Sequence, residues 1–263
     1  MKKFWRITYI LYRNAVIRDL KISISIITGA LNHLMDGVVS IALIFIVYTK
    51  TDAIGGWNIY ETLILISSMK IITTIFSSWL KKGTGLFAEH MVRTGEYDFY
   101  LTKPFDPMIA VSISKPRIYN LINIPFYVYI FIYAINHLGR SIPPVNIACF
   151  FLLFICAFLL FYALRLITVI PAFWIIKSYE LVSITDRLQN VMKYPADIYP
   201  RTMAILLSTL LPIFAISYLP VKVLLFEPRL EYIIYTILIT GLFLLLARLF
   251  WKFGEKHYGS ASS

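Results

Sequence analysis

The chain has 263 residues, 59% of them hydrophobic and only 15% charged, with a mean hydropathy of +0.74. A soluble domain is about 45–50% apolar and about 25% charged, so a soluble globular enzyme is excluded and lipid is the missing solvent. The formal charge of +11 does not imply nucleic acid, because the 25 Lys and Arg gather beside apolar stretches, as membrane topology signals do.

A span needs about 20 predominantly apolar residues, and six such stretches can be drawn in chain order. Residues 1–21 come before them and read as an amphipathic helix. At 100° per residue, Lys2, Lys3, Arg6, Arg13, Asn14, Arg18 and Lys21 share one arc, and Trp5, Tyr9, Tyr12, Val16 and Leu20 lie opposite. This pattern suits a helix in the headgroup plane on the cytoplasmic side; the plainer reading is a basic flank that only fixes topology. No small-residue cleavage site follows a short apolar core here, so a cleavable signal peptide is not expected.

The first span is expected within 22–48, followed by a loop with Asp52, Gly55, Gly56 and Trp57. The second covers about 60–80 and ends at Lys81 and Lys82. A polar stretch, 81–117, holds six Lys/Arg and four Asp/Glu. The third span is 118–136, with Gly139, Arg140, Pro143 and Pro144 making the next turn. Residues 145–185 are too long for one span and are broken only by Arg165, Pro171, Lys177 and Glu180. They divide into a fourth span ending near Arg165 and a fifth over 167–184, with Lys177 and Glu180 as a local helix pair. Residues 186–230 carry Pro195, Pro200, Pro212, Pro220 and Pro228. Within them, 202–226 could not span as a straight helix without strain at Pro212 and Pro220. Two short helices that enter one leaflet and return would satisfy the backbone if protein packed around their turn. The last span is about 231–251. This arrangement puts 16 Lys/Arg on the inner side and 7 on the outer, which favours cytoplasmic N and C termini. Five of the outer seven fall in 186–230.

The residues present no catalytic constellation, metal-ligand spacing or nucleotide-binding loop. Lys82-Gly83-Thr84-Gly85 has its lysine on the wrong side of the glycines for a P-loop. The four histidines are scattered, and Cys149 and Cys156 read as packing residues. Any ATP hydrolysis therefore belongs to another chain. Charges inside spans are the best internal clue, because they normally face protein or water. Asp36 and Lys70 lie at similar depth in antiparallel neighbours and are expected to pair, near Asn32 and His33. The pair reads either as a staple or dimer seam, or as a polar point on a translocation path.

Two stretches carry a resemblance. Arg93-Thr94-Gly95, then Leu101-Thr102-Lys103-Pro104 and Pro107, resembles the cytoplasmic-loop signature of type-2 ABC transporter permeases. Tyr194–Pro200, Leu211-Pro212 and Tyr218-Leu219-Pro220 resemble that family's proline-punctuated segment before the last span. Phe173-Trp174 and the ending from Trp251 to Ala261 are similar to the subgroup called ABC-2 family transporter protein.

The resemblance implies an all-α polytopic membrane protein, a single permease domain over 1–263. It would have six transmembrane helices, an N-terminal interfacial helix and re-entrant helices between spans five and six. The chain would dimerise in a bacterial cytoplasmic membrane and bind two separately encoded ABC ATPase subunits, which carry the ATP and Mg, for export. Residues 81–117 become the coupling region, with Glu89, His90, Arg93, Glu96 and Asp98 exposed towards an ATPase groove and Gly95 permitting a sharp turn; the plain alternative is a solvated loop. A turn near Arg165 would be a second, smaller contact. Pro200, Pro212 and Pro220 would punctuate re-entrant helices capping the path on the outer side. The other permease could be a second copy, although the subgroup's paired, non-identical permeases point to a related partner. No cofactor, metal or nucleic acid is expected on this chain, and the substrate is unspecified beyond a lean to amphiphilic or hydrophobic compounds. Two other classes fit less well. One is a non-transporting scaffold or immunity subunit of the same fold. The other is a membrane lipid-modifying enzyme centred on Asn32, His33, Asp36 and Lys70.

Overall fold

The computed structural model describes Arg13, Ile17, residues 23–175 and residues 178–259. The expected interfacial helix over 1–21, apart from Arg13 and Ile17, and the Lys177 half of the Lys177–Glu180 pair lie outside these residues. The described chain is helical, with one isolated bridge between Ile54 and Trp57. Its helices are α1 (Ser23–Tyr48), α2 (Ile59–Trp79), α3 (Lys81–Leu86), α4 (Pro107–Ser112), α5 (Ile124–Asn136), α6 (Pro144–Val169), α7 (Tyr179–Val191), α8 (Arg201–Thr209), α9 (Ile213–Ile216), α10 (Tyr218–Leu225) and α11 (Leu230–Lys256). Among the described residues, five stretches are long and apolar enough to cross a membrane: Ile27–Tyr48, Ile59–Trp79, Ile118–Asn136, Pro144–Phe173 and Leu230–Lys256.

The bundle has two ends. At the loop end, 81–117 meets the ends of α6 and α11. At the far end, the loops around 54, 140 and 227 gather: Arg140 donates to Glu61 (2.6 Å), and Asn146 donates to the Phe226 carbonyl (2.6 Å). Gly55 and Gly56, both at positive φ, make the tight turn that closes the Ile54–Trp57 bridge. Helix α2 starts here on a capping box, with the Asn58 side chain accepting from the Glu61 amide and Glu61 accepting from the Asn58 amide, each at 2.9 Å.

Helix α2 is the axis of the fold and is buried almost all the way round. Its hydroxyls are satisfied locally, as lipid demands: Ser67 bonds the Leu63 carbonyl at 2.6 Å and Ser78 the Thr74 carbonyl at 2.7 Å. Helix α1 leans on the 118–136 segment through Gly37, whose Cα meets the Tyr127 ring so closely that any Cβ would clash. Tyr127 Oη donates to the His33 carbonyl (2.9 Å).

The division of 145–185 needs correction. Helix α6 runs unbroken through Arg165 and stops only where Pro171 sits in a 3₁₀ turn, Ile170–Phe173. Arg165 is no loop residue. It is buried, donating to the Val182 carbonyl (2.8 Å) and Thr185 Oγ1 (2.7 Å), with Thr84 Oγ1 at 3.4 Å and Asp186 at 3.7 Å. From this buried position the guanidinium staples α3, α6 and α7. Among the described residues no separate apolar span covers 167–184. The chain instead returns along a polar element. Ser178 Oγ donates to the Ala88 carbonyl (2.9 Å) at the loop end, Asp186 pairs with Lys81 (2.9 Å), and Asp197 accepts from Trp57 Nε1 (3.0 Å) at the far end. Residues 178–197 therefore traverse the height of the bundle with Glu180, Asp186, Arg187 and Lys193 on the way. Composition hides such a passage because its polar side chains meet other polar side chains.

Beyond it, Pro200 precedes α8, and Pro212 separates α8 from α9. Pro220 occupies the first turn of α10, where a missing amide costs nothing. Residues 213–221 and 223–225 are buried against α2, α6 and α11.

Replacing Arg165 by Met should lower the unfolding midpoint of the purified chain by the equivalent of about 1–3 kcal/mol, since it removes the buried hydrogen bonds to the Val182 carbonyl and Thr185 Oγ1. Arg165→Lys should recover only part, because an ammonium cannot reproduce the fork. An unchanged midpoint for Arg165→Met would show that the staple contributes nothing.

Candidate functional site

At mid-height, α1, α2 and α7 enclose a polar cavity of about 260 Å³. Helix α1 supplies Asn32, His33 and Asp36, and α2 supplies Lys70, Thr73, Thr74 and Ser77. Helix α7 and the residues after it supply Asp186, Gln189, Asn190 and Lys193, with Lys81 and Tyr127 at the rim. Lys70 Nζ donates to Asp36 in close contact, and Lys193 Nζ lies 3.9 Å from the other Asp36 oxygen. The sequence-derived partners thus meet, with Asn32 and His33 one turn away. Sequence reasoning missed the third member, Lys193, and the whole α7 wall. The signal was present as a helical period: Val182, Thr185 and Met192 are buried on one side, and Glu180, Arg187 and Asn190 are exposed on the other.

The two partners differ sharply in exposure: the Lys70 side chain is 5% exposed and that of Asp36 is 59%. Lys70 is held inside the bundle and reaches outward to a carboxylate on its flank. Around Asp36 the outer face of α1 exposes Leu31, Met35, Val39, Leu43 and Ile46, with Asn32 as the exposed polar neighbour one turn away.

At the loop end, α3 continues through a π turn, Phe87–Met91, and the helical turn Val92–Thr94, to stop at Gly95 with φ +76°. Tyr97 N–H bonds back to the Met91 carbonyl (3.1 Å), closing a stop that only a left-handed residue permits. Of the six sequence-derived contact residues, Glu89, His90 and Arg93 are exposed on one side of this helix. Gly95 makes the turn, while Glu96 and Asp98 are half-buried. His90 Nδ1 lies 3.4 Å from Glu96. Phe99, Leu101 and Ile109 add an exposed apolar patch beside them. Gly83 lets α3 touch α4, since a Cβ there would lie 2.3 Å from the Val111 carbonyl oxygen.

This surface is anchored from behind by rings. Phe87 packs on Trp251 (centroids 4.7 Å) and on Phe173 (5.0 Å), and Tyr97 packs edge-on to Tyr258 (5.1 Å). Tyr97 Oη donates to Glu255 (3.0 Å), and burial together with that carboxylate pushes its pKa well up. Burial and Asp98 raise Tyr258 to about 12, so both hydroxyls stay protonated as donors. Asp106 accepts from the amides of Met108 (3.0 Å) and Ile109 (3.4 Å) and pairs with Arg248. Loop and last helix are therefore tied together by both rings and charges.

Among the described residues no three His, Cys, Asp or Glu side chains come together as metal ligands would. Comparison with curated proteins and with solved structures gives no match. A family model, described as ABC-2 family transporter protein, matches residues 34–262. With that match over most of its length, the chain belongs to the ABC-2 family of transporter proteins, as a multi-pass membrane permease component of an ABC transporter, a class that associates with ABC ATPases.

Proposed function

We propose that the chain forms one half of the translocation path of an ATP-driven exporter in a bacterial cytoplasmic membrane. In this reading it is a six-pass subunit, the polar passage 178–197 supplying the fifth crossing. The observation that carries the reading is Asp36: a carboxylate 59% exposed at mid-height, with exposed Asn32 as its polar neighbour one turn away on a flank of exposed apolar side chains. A charge at the centre of a span costs about 2.5–3.5 kcal/mol on insertion scales unless water or protein faces it. A second permease, identical or related, meeting this one along α1, α2 and α7 would turn the cavity into a shared polar path. The lining of amides, hydroxyls, three lysines and two aspartates favours a substrate with hydrogen-bonding groups over a purely hydrophobic one.

The loop end would face the cytoplasm, because 81–117 alone carries six Lys/Arg, whereas the far-end loops hold Lys50, Arg140, Arg201, Lys222 and Arg229. Two ABC ATPase subunits, with their own ATP and Mg, would dock on Glu89, His90, Arg93 and the Phe99–Leu101 patch, leaving no catalytic role to this chain. Helices α8–α10, punctuated by Pro200, Pro212 and Pro220, would close the path from the far side as re-entrant elements.

Purifying the tagged chain in mild detergent from its native membrane should bring down an ATPase subunit, and a second permease where the pair is mixed. Arg93→Glu should reduce ATPase recovery at least about tenfold without changing the amount of chain in the membrane. Repeated recovery without any ATPase would overturn the transporter reading, and ATPase binding without substrate-stimulated turnover would favour a scaffold.

Asp36→Lys and Lys70→Asp should each abolish transport, and the double exchange should restore at least part of it. Failure of the exchange with normal membrane levels would mean that the pair is not an ion pair in the working assembly.

A further inference from the structure

A second pair of cavities lies at the far end, away from the polar wall. One, about 680 Å³, is lined by Arg140, Lys222, Phe226, Glu227, Arg229 and Tyr232, with Pro143 and Asn146 at its floor. The other, about 520 Å³, opens between α5 and α6 and is lined mainly by apolar groups, including Phe131, Ile135, Ile147, Phe150 and Phe151. Arg140 lines both. We infer that together they hold one anionic phospholipid, its phosphate in the first cavity and the upper part of an acyl chain in the second.

The charge on the page fits an anion. Arg140 donates to Glu61 (2.6 Å) and stacks over Phe226 (5.0 Å), so it is partly engaged. Lys222 donates to the neutral Tyr218 hydroxyl (2.6 Å) and sits over the Tyr218 and Tyr232 rings (4.8 and 5.2 Å). Among the described residues neither Lys222 nor Arg229 has a carboxylate within 4 Å, and Glu227 is the one acid in the lining. Two long helices also begin here. Pro143 and Arg229, the residues before α6 and α11, both line the cavity, and neither helix has a side-chain cap on its first amides. Their partial positive ends add to the three cations.

The neighbouring cavity decides the source of the anion. A free phosphate would use the cationic cavity alone and gain nothing from an apolar slot beside it. A phospholipid uses both, with its headgroup among the cations and the first carbons of a chain in the apolar slot that shares Arg140. The exposed faces of Ile147 and Phe151 line the slot on the side where acyl chains lie. Tyr232 and Phe226 sit beside the cations, where interfacial aromatics are expected.

Native mass spectrometry of the full chain in detergent tests this, with phosphatidylglycerol and phosphatidylcholine of identical acyl chains as probes. One phosphatidylglycerol should bind about tenfold or more tighter than phosphatidylcholine, the scale set by one or two surface cations. Arg229→Gln, and more strongly Arg229→Gln with Lys222→Gln, should erase that preference, whereas Lys50→Gln should not. Ile147→Trp, which fills the apolar slot, should weaken phosphatidylglycerol but leave any binding of inorganic phosphate unchanged. Arg229 is exposed and makes no ion pair among the described residues, so Arg229→Gln alone decides if the double variant fails to fold. Equal binding of the two lipids, or an unaltered preference in Arg229→Gln, overturns the inference. So does full displacement by inorganic phosphate with no effect of Ile147→Trp, an outcome that would assign the cavity to a free anion.

Discussion

Charge cannot be left facing hydrocarbon, and the architecture follows from how this chain meets that demand. Its mid-height charges are not scattered around the bundle. Asp36, Lys70, Lys81, Asp186 and Lys193 gather on one wall, where α1, α2 and α7 present polar side chains to each other. Once α7 is polar it must lie against polar neighbours, and α2 supplies them with Thr73, Thr74 and Ser77 on one side. The opposite side of α2 remains apolar, with Leu65, Met69 and Ile72 in the core. One central helix thereby serves both environments, and the fold is organised around it.

The features legible in the sequence were those that depend on local composition. Four of the apolar spans and the Asp36–Lys70 meeting follow from periodicity, residue type and matched depth, while the turn at Gly95 came from the family resemblance. The passage over 178–197 was not legible in the same way. Its hydropathy is that of a surface helix, and only its partners at Lys81, Asp36 and Trp57, far away in sequence, reveal that it runs the height of the bundle. Arg165 misled for the mirror-image reason. A lone cation in an apolar run marks a loop on average, but here Val182, Thr185 and Asp186 convert it into a buried staple. The ring cluster of Phe87, Tyr97, Phe173, Trp251 and Tyr258 was equally hidden, because each ring alone is an ordinary interfacial aromatic.

These long-range contacts also join the two parts of the molecule that the sequence treats as separate. The segment 81–94 touches α7 three times over. Ser178 bonds the Ala88 carbonyl, Arg165 brings Thr84 to Val182 and Thr185, and Lys81 pairs with Asp186. Two turns further along, the same helix leads to Lys193 beside Asp36. The exposed side of 81–94 is thus joined to the cavity wall through direct contacts, with no loop between them, and the aromatic cluster behind Phe87 packs the same segment against α11. The wall it meets is polar and half-exposed, along α7 and across the face on which Asp36 stands.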